Sequence, residues 1–272
     1  MKKIMLNNEV KIPVLGIEVN KCEVLSFYNA IRWALKLGIY RFDLSGVCGK
    51  NDEIVKAFYG AKVEDDVKRE DLFFELSVCN GEKCNVKEEF EEYLNKFEIS
   101  YADVCYLRKS EGKGLESENS VRDFELKERW KVLEELYRNG KCLAIGLEGV
   151  ELSEIKEIFE ESTISPMICR IKRNPLEKNE EVVKWLLQNN VAVEVMALKK
   201  EEEIKILENN VLNESAKDMG TLVNSLCLAL NLKDNLAVNI GFDEENVLRE
   251  NLKAFELKLD EKTLEKIKNL EK

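Results

Sequence analysis

The chain has 272 residues, 44% of them hydrophobic, and carries 42 Lys and Arg residues against 53 Asp and Glu residues, for a net charge of −11. That length suits one α/β barrel with a large core, and the acidic surplus argues against nucleic acid or an anionic membrane as a partner. The absence of histidine excludes the usual general base at neutral pH, the commonest metal ligand and every His-containing catalytic triad.

Cysteine content and segment hydropathy indicate the compartment. Eight cysteines spread over the chain are too dilute for a disulfide scaffold. The first residues lack the apolar core of a signal peptide, and no stretch approaches the roughly eighteen apolar residues of a membrane span. We therefore expect a cytoplasmic protein with mostly free thiols. Only three prolines and no Gly/Ser-rich linker interrupt the pattern, which favours one domain over residues 1–272.

The predicted elements begin with a β-hairpin, 3–6 and 10–12, which we expect to close the bottom of the fold. The eight predicted strands that follow are 14–19, 40–44, 72–78, 104–108, 144–148, 167–172, 191–196 and 236–240. The predicted helices are 23–37, 51–60, 86–98, 123–139, 151–160, 178–189, 212–230, 243–255 and 260–270. Eight strand-and-helix repeats predict an α/β protein, a single (β/α)8 TIM barrel, with its active face where the strands end.

An open doubly wound sheet is the alternative fold, and it would normally carry a glycine-rich phosphate loop after the first strand. The sequence there reads Gly16-Ile17-Glu18-Val19-Asn20, which does not match GxGxxG. No GxxxxGK[ST] motif occurs anywhere in the chain. Pattern and motifs together favour the barrel.

Several segments also carry a family resemblance that spans almost the whole chain. They are LNNEV at 6–10, PVLG at 13–16, GIYRFD at 38–43, VKREDLF at 67–73, YADV at 101–104, WKVLEELY at 130–137 and RENLKAF at 249–255. In order and spacing the sequence resembles an aldo-keto reductase. The resemblance implies a (β/α)8 barrel that binds NADPH at the strand ends and reduces carbonyls by hydride transfer.

The resemblance also assigns four catalytic positions, normally Asp, Tyr, Lys and His. Asp43 matches the Asp, whereas Cys48 stands at the Tyr position, Ser77 at the Lys position and Arg108 at the His position. Neither Cys48 nor Ser77 can reproduce a phenol whose proton is poised by an ammonium group. The conventional mechanism is therefore not expected to operate.

The positions that the resemblance assigns to the cofactor are changed in the same way. Only Glu250 and Asn251 match, and the substituted positions are Glu148-Gly149, Arg170, Met196, Gly241-Phe242 and Val247. The phosphate loop loses both of its cations, which removes charge-assisted hydrogen bonds to a multiply charged anion. Strong NADPH binding is therefore not expected, and NADPH is implied by the family alone.

Alternation along the strands directs charged residues of both signs into the barrel, where two interpretations remain open. One is a buried ion-pair network that replaces the family's catalytic residues. The other is an anion pocket formed by Arg108 and Arg170 with Glu75 and Glu148, with Asp43 or Glu75 carrying a proton.

Cysteines near the predicted strand ends offer two further possibilities. A thiolate metal site would use Cys22, Cys48, Cys79 and Cys84, but their spacing is weak evidence and we predict no metal. Cys48 alone could be a reactive thiol if a nearby arginine lowers its pKa.

The leading functional prediction is a pseudoenzyme: an aldo-keto-reductase-like barrel that has lost NADPH-dependent carbonyl reduction and acts as a binding, regulatory or scaffold protein. Its partner would be a small anionic molecule or another protein. Two alternatives remain. One is an enzyme with altered chemistry on an anionic small molecule at the barrel mouth, using Arg108, Arg170, Cys48 and Asp43. The other is a residual NAD(P)H-dependent oxidoreductase.

Overall fold

The structure is a computed structural model that describes residues 2–22, 26–47, 51–79, 84–109, 119–242 and 244–270. Strand β1 (Lys3–Met5) pairs antiparallel with β2 (Lys11–Pro13), with Ile4 opposite Ile12. Ile12 is fully buried, and the Asn8 side chain donates to the carbonyl of Leu143 at 2.9 Å. The predicted hairpin is therefore present and contacts the strand that contains Leu143.

Eight parallel strands close into a barrel, in which the last strand pairs with the first. They are β3 (Leu15–Glu18), β4 (Arg41–Asp43), β5 (Phe73–Val78), β6 (Ala102–Arg108), β7 (Cys142–Glu148), β8 (Ile168–Ile171), β9 (Ala192–Val195) and β10 (Ala237–Ile240). Each overlaps a predicted strand. The predicted (β/α)8 fold is confirmed, and the polar side chains at the C-terminal strand ends share one face of the barrel.

Helices cover the barrel. They are α1 (Phe27–Lys36), α2 (Asn51–Glu64), α3 (Val86–Lys96), α4 (Asn119–Arg138), α5 (Leu152–Glu161), α6 (Glu180–Gln188), α7 (Lys200–Leu207), α8 (Asn210–Asp218), α9 (Val223–Lys233), α10 (Glu245–Leu252) and α11 (Glu261–Lys268). In the part of the chain that is described, no helix has both the length and the apolar character needed to cross a membrane.

The single helix predicted over 212–230 is wrong. The structure has α8 and α9 there, preceded by α7, which the pattern did not predict. Asn209 caps α8 by accepting from the backbone N–H of Leu212 at 3.1 Å. Gly220 adopts a φ of +63° just after α8, a conformation that glycine takes without strain and that ends a helix.

A second apolar cluster, beside the barrel core, fixes these extra helices. Ile206, Leu212, Leu226 and Ile267 are buried together, one from each of α7, α8, α9 and α11. Ile206 packs one face of α7 into this cluster. The opposite face of α7 forms a wall beside the ends of β9 and β10. This wall borders the cleft described below.

Candidate functional site

A buried ion-pair network fills the C-terminal half of the barrel around Arg170. Its guanidinium group lies 2.7 Å from Asp43, 2.9 Å from Glu75, 3.2 Å from Glu148 and 2.5 Å from Glu194. Arg170 is only 1% exposed, so carboxylates of this chain occupy its donors. Arg170 is therefore not available to an anionic ligand, and the anion pocket expected between Arg108 and Arg170 is closed on that side.

A second arginine completes the network. Arg41 lies 2.7 Å from Glu194 and 3.3 Å from Glu75, and it donates to the carbonyl of Val238 at 2.6 Å. Its guanidinium needs the space beside Gly16, because a Cβ at that position would lie 2.4 Å from Arg41 Nε. Glycine at this strand position therefore allows the arginine to be buried.

Carboxylates outnumber guanidiniums in this interior, and their pKa values respond in opposite directions. Burial raises the pKa of Glu75 well above its usual value; Arg41 opposes this shift and the neighbouring Glu194 adds to it. Burial also acts on Glu194, but Arg170 and Arg41 outweigh it and hold the Glu194 pKa below its usual value. The two carboxyl groups therefore shift in opposite directions, and the arginines favour the charged form of Glu194.

The family's former catalytic positions meet at Glu148. Ser77 donates its hydroxyl proton to Glu148 Oε2 at 2.5 Å, and Arg108 Nε lies 2.6 Å from Glu148 Oε1. The Arg108 side chain is 25% exposed, which puts it at the rim, whereas Ser77 is buried. The predicted residue Cys48 lies outside the described residues.

Glu18 is the site residue that sequence reasoning missed. It ends β3, is paired in register with Asp43 and is 3% exposed. Its Oε2 accepts a hydrogen bond from the backbone N–H of Ala197 at 3.1 Å. The available signal was strand alternation, since Gly16 faces the interior and Glu18, two residues later, must face it too.

The Glu18 carboxyl titrates near neutrality. Burial raises its pKa to about 7, and Asp43 and Glu148 add to this shift while Arg170 and Lys21 oppose it. A carboxylic acid with such a pKa is half protonated at neutral pH and can act as a general acid or base. Such a group can take the acid–base role that histidine usually fills at neutral pH.

A second titratable group, the phenol of Tyr93, lies near the turn that follows β4. The Tyr93 hydroxyl on α3 accepts from the backbone N–H of Gly46 at 3.3 Å. Burial raises the Tyr93 pKa above its usual value, with a smaller contribution from Glu89. Tyr93 therefore stays a neutral phenol at physiological pH.

A cleft of about 600 Å³ opens beside Glu18, between the ends of β9 and β10 and the helices α7, α9 and α10. Its lining includes Ala197, whose N–H binds Glu18, and four of the positions assigned to the cofactor from sequence, Met196, Gly241, Phe242 and Val247. Asn251, predicted as a cofactor residue, also lines the cleft. The other predicted match, Glu250, ion-pairs instead with Lys253 at 2.6 Å.

Charged and amide groups give this cleft its chemistry. The cations in its lining are Lys21, Arg173 and Lys200; Arg173 is paired with Asp234 at 2.6 Å. Asn224 has a buried side-chain oxygen without a hydrogen-bond partner among the described residues, whereas the unpartnered oxygen of Asn239 lies in the barrel interior beside Gly16. Such orphaned acceptors are costly unless a ligand or water satisfies them.

Most of the described cysteines are free thiols, as expected from the sequence, but two form a disulfide. Cys79 and Cys84 form a disulfide across a 5.1 Å Cα–Cα distance, and Cys79, directly after β5, has a φ of 73°. The thiolate metal site considered from Cys22, Cys48, Cys79 and Cys84 therefore lacks two of its thiolates. Cys22 is buried, which raises its thiol pKa to about 12 and leaves it unreactive.

The chain is similar to known proteins over nearly its full length. The pattern of the Aldo/keto reductase family matches residues 16–272. The chain is 26% identical to glyoxal reductase of Bacillus subtilis, covering 99% of this chain and 92% of the relative. It is 24% identical to NADP-dependent D-sorbitol-6-phosphate dehydrogenase of Malus domestica, covering 100% and 94%. The aldose reductase structure from Schistosoma japonicum superposes with a TM-score of 0.82 at 21% identity, covering 98% and 91%.

These relatives correct the leading functional prediction. They are named as reductases and dehydrogenases, not as binding or scaffold proteins, so the prediction of a pseudoenzyme without carbonyl reduction is wrong. The Tyr, Lys and His positions are substituted, but Glu18 provides a buried titratable group at the same strand ends. By sequence and by fold, the chain belongs to the aldo/keto reductase family.

Proposed function

We propose that this chain is a carbonyl reductase that uses a reduced nicotinamide dinucleotide, with the Glu18 carboxyl as its general acid. The single observation that carries the proposal is the position of Glu18 between the buried network and the cleft. Its Oε2 binds the N–H of Ala197, a residue that lines the cleft. A ligand in the cleft is therefore separated from the acid by one peptide unit.

The cleft fits a dinucleotide in size and in donors and acceptors. Its volume of about 600 Å³ lies within the ~300–1,000 Å³ typical of ligand sites. Lys21 would face the diphosphate as a cation, while the unpartnered side-chain oxygen of Asn224 would accept from a hydroxyl or amide group. Asn251 remains at the position that the family resemblance assigns to the cofactor.

Residues of this chain supply the proton that the reduction consumes. When bound, the reduced nicotinamide supplies a hydride to the carbonyl carbon. Because Glu18 lies behind the Ala197 N–H, its proton reaches the carbonyl oxygen through one water, so that an alcohol forms and the Glu18 carboxylate remains. Lys21 and Arg170 stabilise that carboxylate, while burial and Asp43 favour its reprotonation from solvent. In the reverse direction the Glu18 carboxylate accepts the proton of the alcohol.

The function is tested by nicotinamide oxidation with small carbonyl compounds. Because the relatives include enzymes named for glyoxal and methylglyoxal, we expect these two compounds to be reduced, with one alcohol formed per nicotinamide oxidised. The assay follows nicotinamide absorbance with NADH and with NADPH, and product analysis confirms the alcohol. Absence of turnover of both compounds with both cofactors would contradict the proposal.

A further inference from the structure

One wall of the cleft carries two hydrogen-bond acceptors side by side. Glu203 on α7 and Asn224 on α9 both line the cleft, and Asn224 Nδ2 donates to Glu203 Oε1 at 2.8 Å. A carboxylate can only accept, so this bond fixes the amide with its nitrogen toward Glu203. The oxygen of Asn224 is consequently directed elsewhere, is buried, and has no partner within the described ranges.

An apolar surface adjoins this acceptor pair. Ile204 and Leu207, on the same helix as Glu203, line the cleft although each is 46% exposed. Val247 faces them from α10 as another residue of the lining. A flat aromatic base could pack against these side chains and cover area that now faces water. An apolar surface beside paired acceptors suits a nucleoside. The base would pack on the apolar surface, and the sugar hydroxyls would donate to the acceptors.

The same region is poor in groups that would bind a further phosphate. Gly241, Phe242 and Val247 supply no positive charge at three positions of the cleft lining. Lys200, one turn before Glu203, is the cation of α7 that lines the cleft. A phosphate monoester carries about −1.5 to −2 charges at neutral pH and offers mainly acceptors, so it would meet acceptors and a like charge.

We infer that this cleft selects a dinucleotide whose adenosine ribose has free 2′ and 3′ hydroxyls, NADH, over the 2′-phosphorylated NADPH. The inference rests on the proposed function. The hydroxyls of a vicinal diol donate to the Glu203 carboxylate and to Asn224 Oδ1, which satisfies the orphaned oxygen. An acidic side chain on the ribose hydroxyls is the general device by which dinucleotide sites favour NAD over NADP. A 2′-phosphate instead places negative charge against the Glu203 carboxylate, which acts as a repulsive selectivity element.

The test measures binding of cofactor fragments that have no nicotinamide and hence no redox readout. Calorimetric titration with ADP-ribose and with 2′-phospho-ADP-ribose gives two dissociation constants. We expect ADP-ribose to bind at least tenfold more tightly. Glu203→Gln removes the carboxylate charge and should bring the two constants to within about threefold. Glu201→Gln is the matched control, because Glu201 lies on the same turn but is exposed, and it should leave the ratio unchanged.

Each other outcome overturns a different statement. If neither fragment binds, the cleft is not a cofactor site, and the proposed function is wrong as well. If both bind and the 2′-phosphorylated fragment binds as tightly or more tightly, selectivity for NADH is wrong while the proposed function stands. If ADP-ribose is preferred but Glu203→Gln leaves the ratio unchanged, the assignment to Glu203 is wrong.

Discussion

Glu18→Gln is expected to lower the rate of carbonyl reduction by about 10²- to 10⁴-fold, the usual contribution of a general acid. Glutamine keeps the shape of the side chain and can still accept from the Ala197 N–H, but it has no acidic proton to transfer. The fold should therefore persist, with thermal unfolding close to that of the parent protein. The measurement is steady-state reduction of glyoxal or methylglyoxal, with ADP-ribose binding as a check that the cleft is intact.

Two control variants make this result specific. Glu160→Gln makes the same chemical change at an exposed position on α5 and should leave the rate unchanged. Tyr93→Phe removes the phenol beside Gly46 and should lower the rate less than tenfold. A loss in Tyr93→Phe as large as that in Glu18→Gln would put the acid on the tyrosine and contradict the assignment.

Arg170→Met is expected to destabilise the protein by about 3–5 kcal/mol, the cost of removing one partner from a buried ion pair. Asp43, Glu148 and Glu194 would lose a guanidinium at 2.5–3.2 Å and could not reach water. In the parent protein Arg170 and Arg41 hold the pKa of Glu194 below its usual value, and the substitution removes the larger of these two contributions. The lost stability should therefore be present above the unfolded pKa of about 4–4.5 and shrink as pH falls.

Urea unfolding at pH 7, pH 5 and pH 4 measures this effect, and the loss should be smaller at pH 4 than at pH 7. Arg249→Met is the matched control, because Arg249 pairs with Glu245 on the surface and is 54% exposed. An exposed pair of this kind contributes about 0–1 kcal/mol. Equal losses in the two variants, or a loss in Arg170→Met that grows toward pH 5, would contradict a net stabilising role for the buried arginine.

The barrel could be predicted from sequence because its signals are local. Most strands are short runs rich in apolar residues, each strand is followed by a helical pattern, and the hairpin is marked by Asn7-Asn8-Glu9. The helices over 200–233 could not be separated in the same way, since Gly220 and Asn209 break a continuous apolar pattern only through backbone conformation and a side-chain cap. The disulfide between Cys79 and Cys84 likewise depends on a turn that spacing alone does not specify.

The sequence predicts several residues that lie in the site, but not which of them pair with one another. Strand alternation directs Asp43, Glu75 and Arg170 inward, and the structure brings them together. Alternation does not reveal that carboxylates saturate Arg170, because that depends on distances across the barrel. In the sequence, Glu18 stands out only as part of a segment that does not match a glycine-rich loop. Its chemistry comes from burial and from neighbours on three other strands, which a linear sequence does not display.

The pH dependence of kcat/KM in both reaction directions tests the central claim most directly. Reduction needs protonated Glu18 and alcohol oxidation needs its carboxylate, so reduction should fall and oxidation should rise as pH increases through about 7. Asp43→Asn removes a charge that raises the Glu18 pKa and should move both midpoints to lower pH. Profiles that are flat, or that move in the same direction for reduction and oxidation, would contradict Glu18 as the acid.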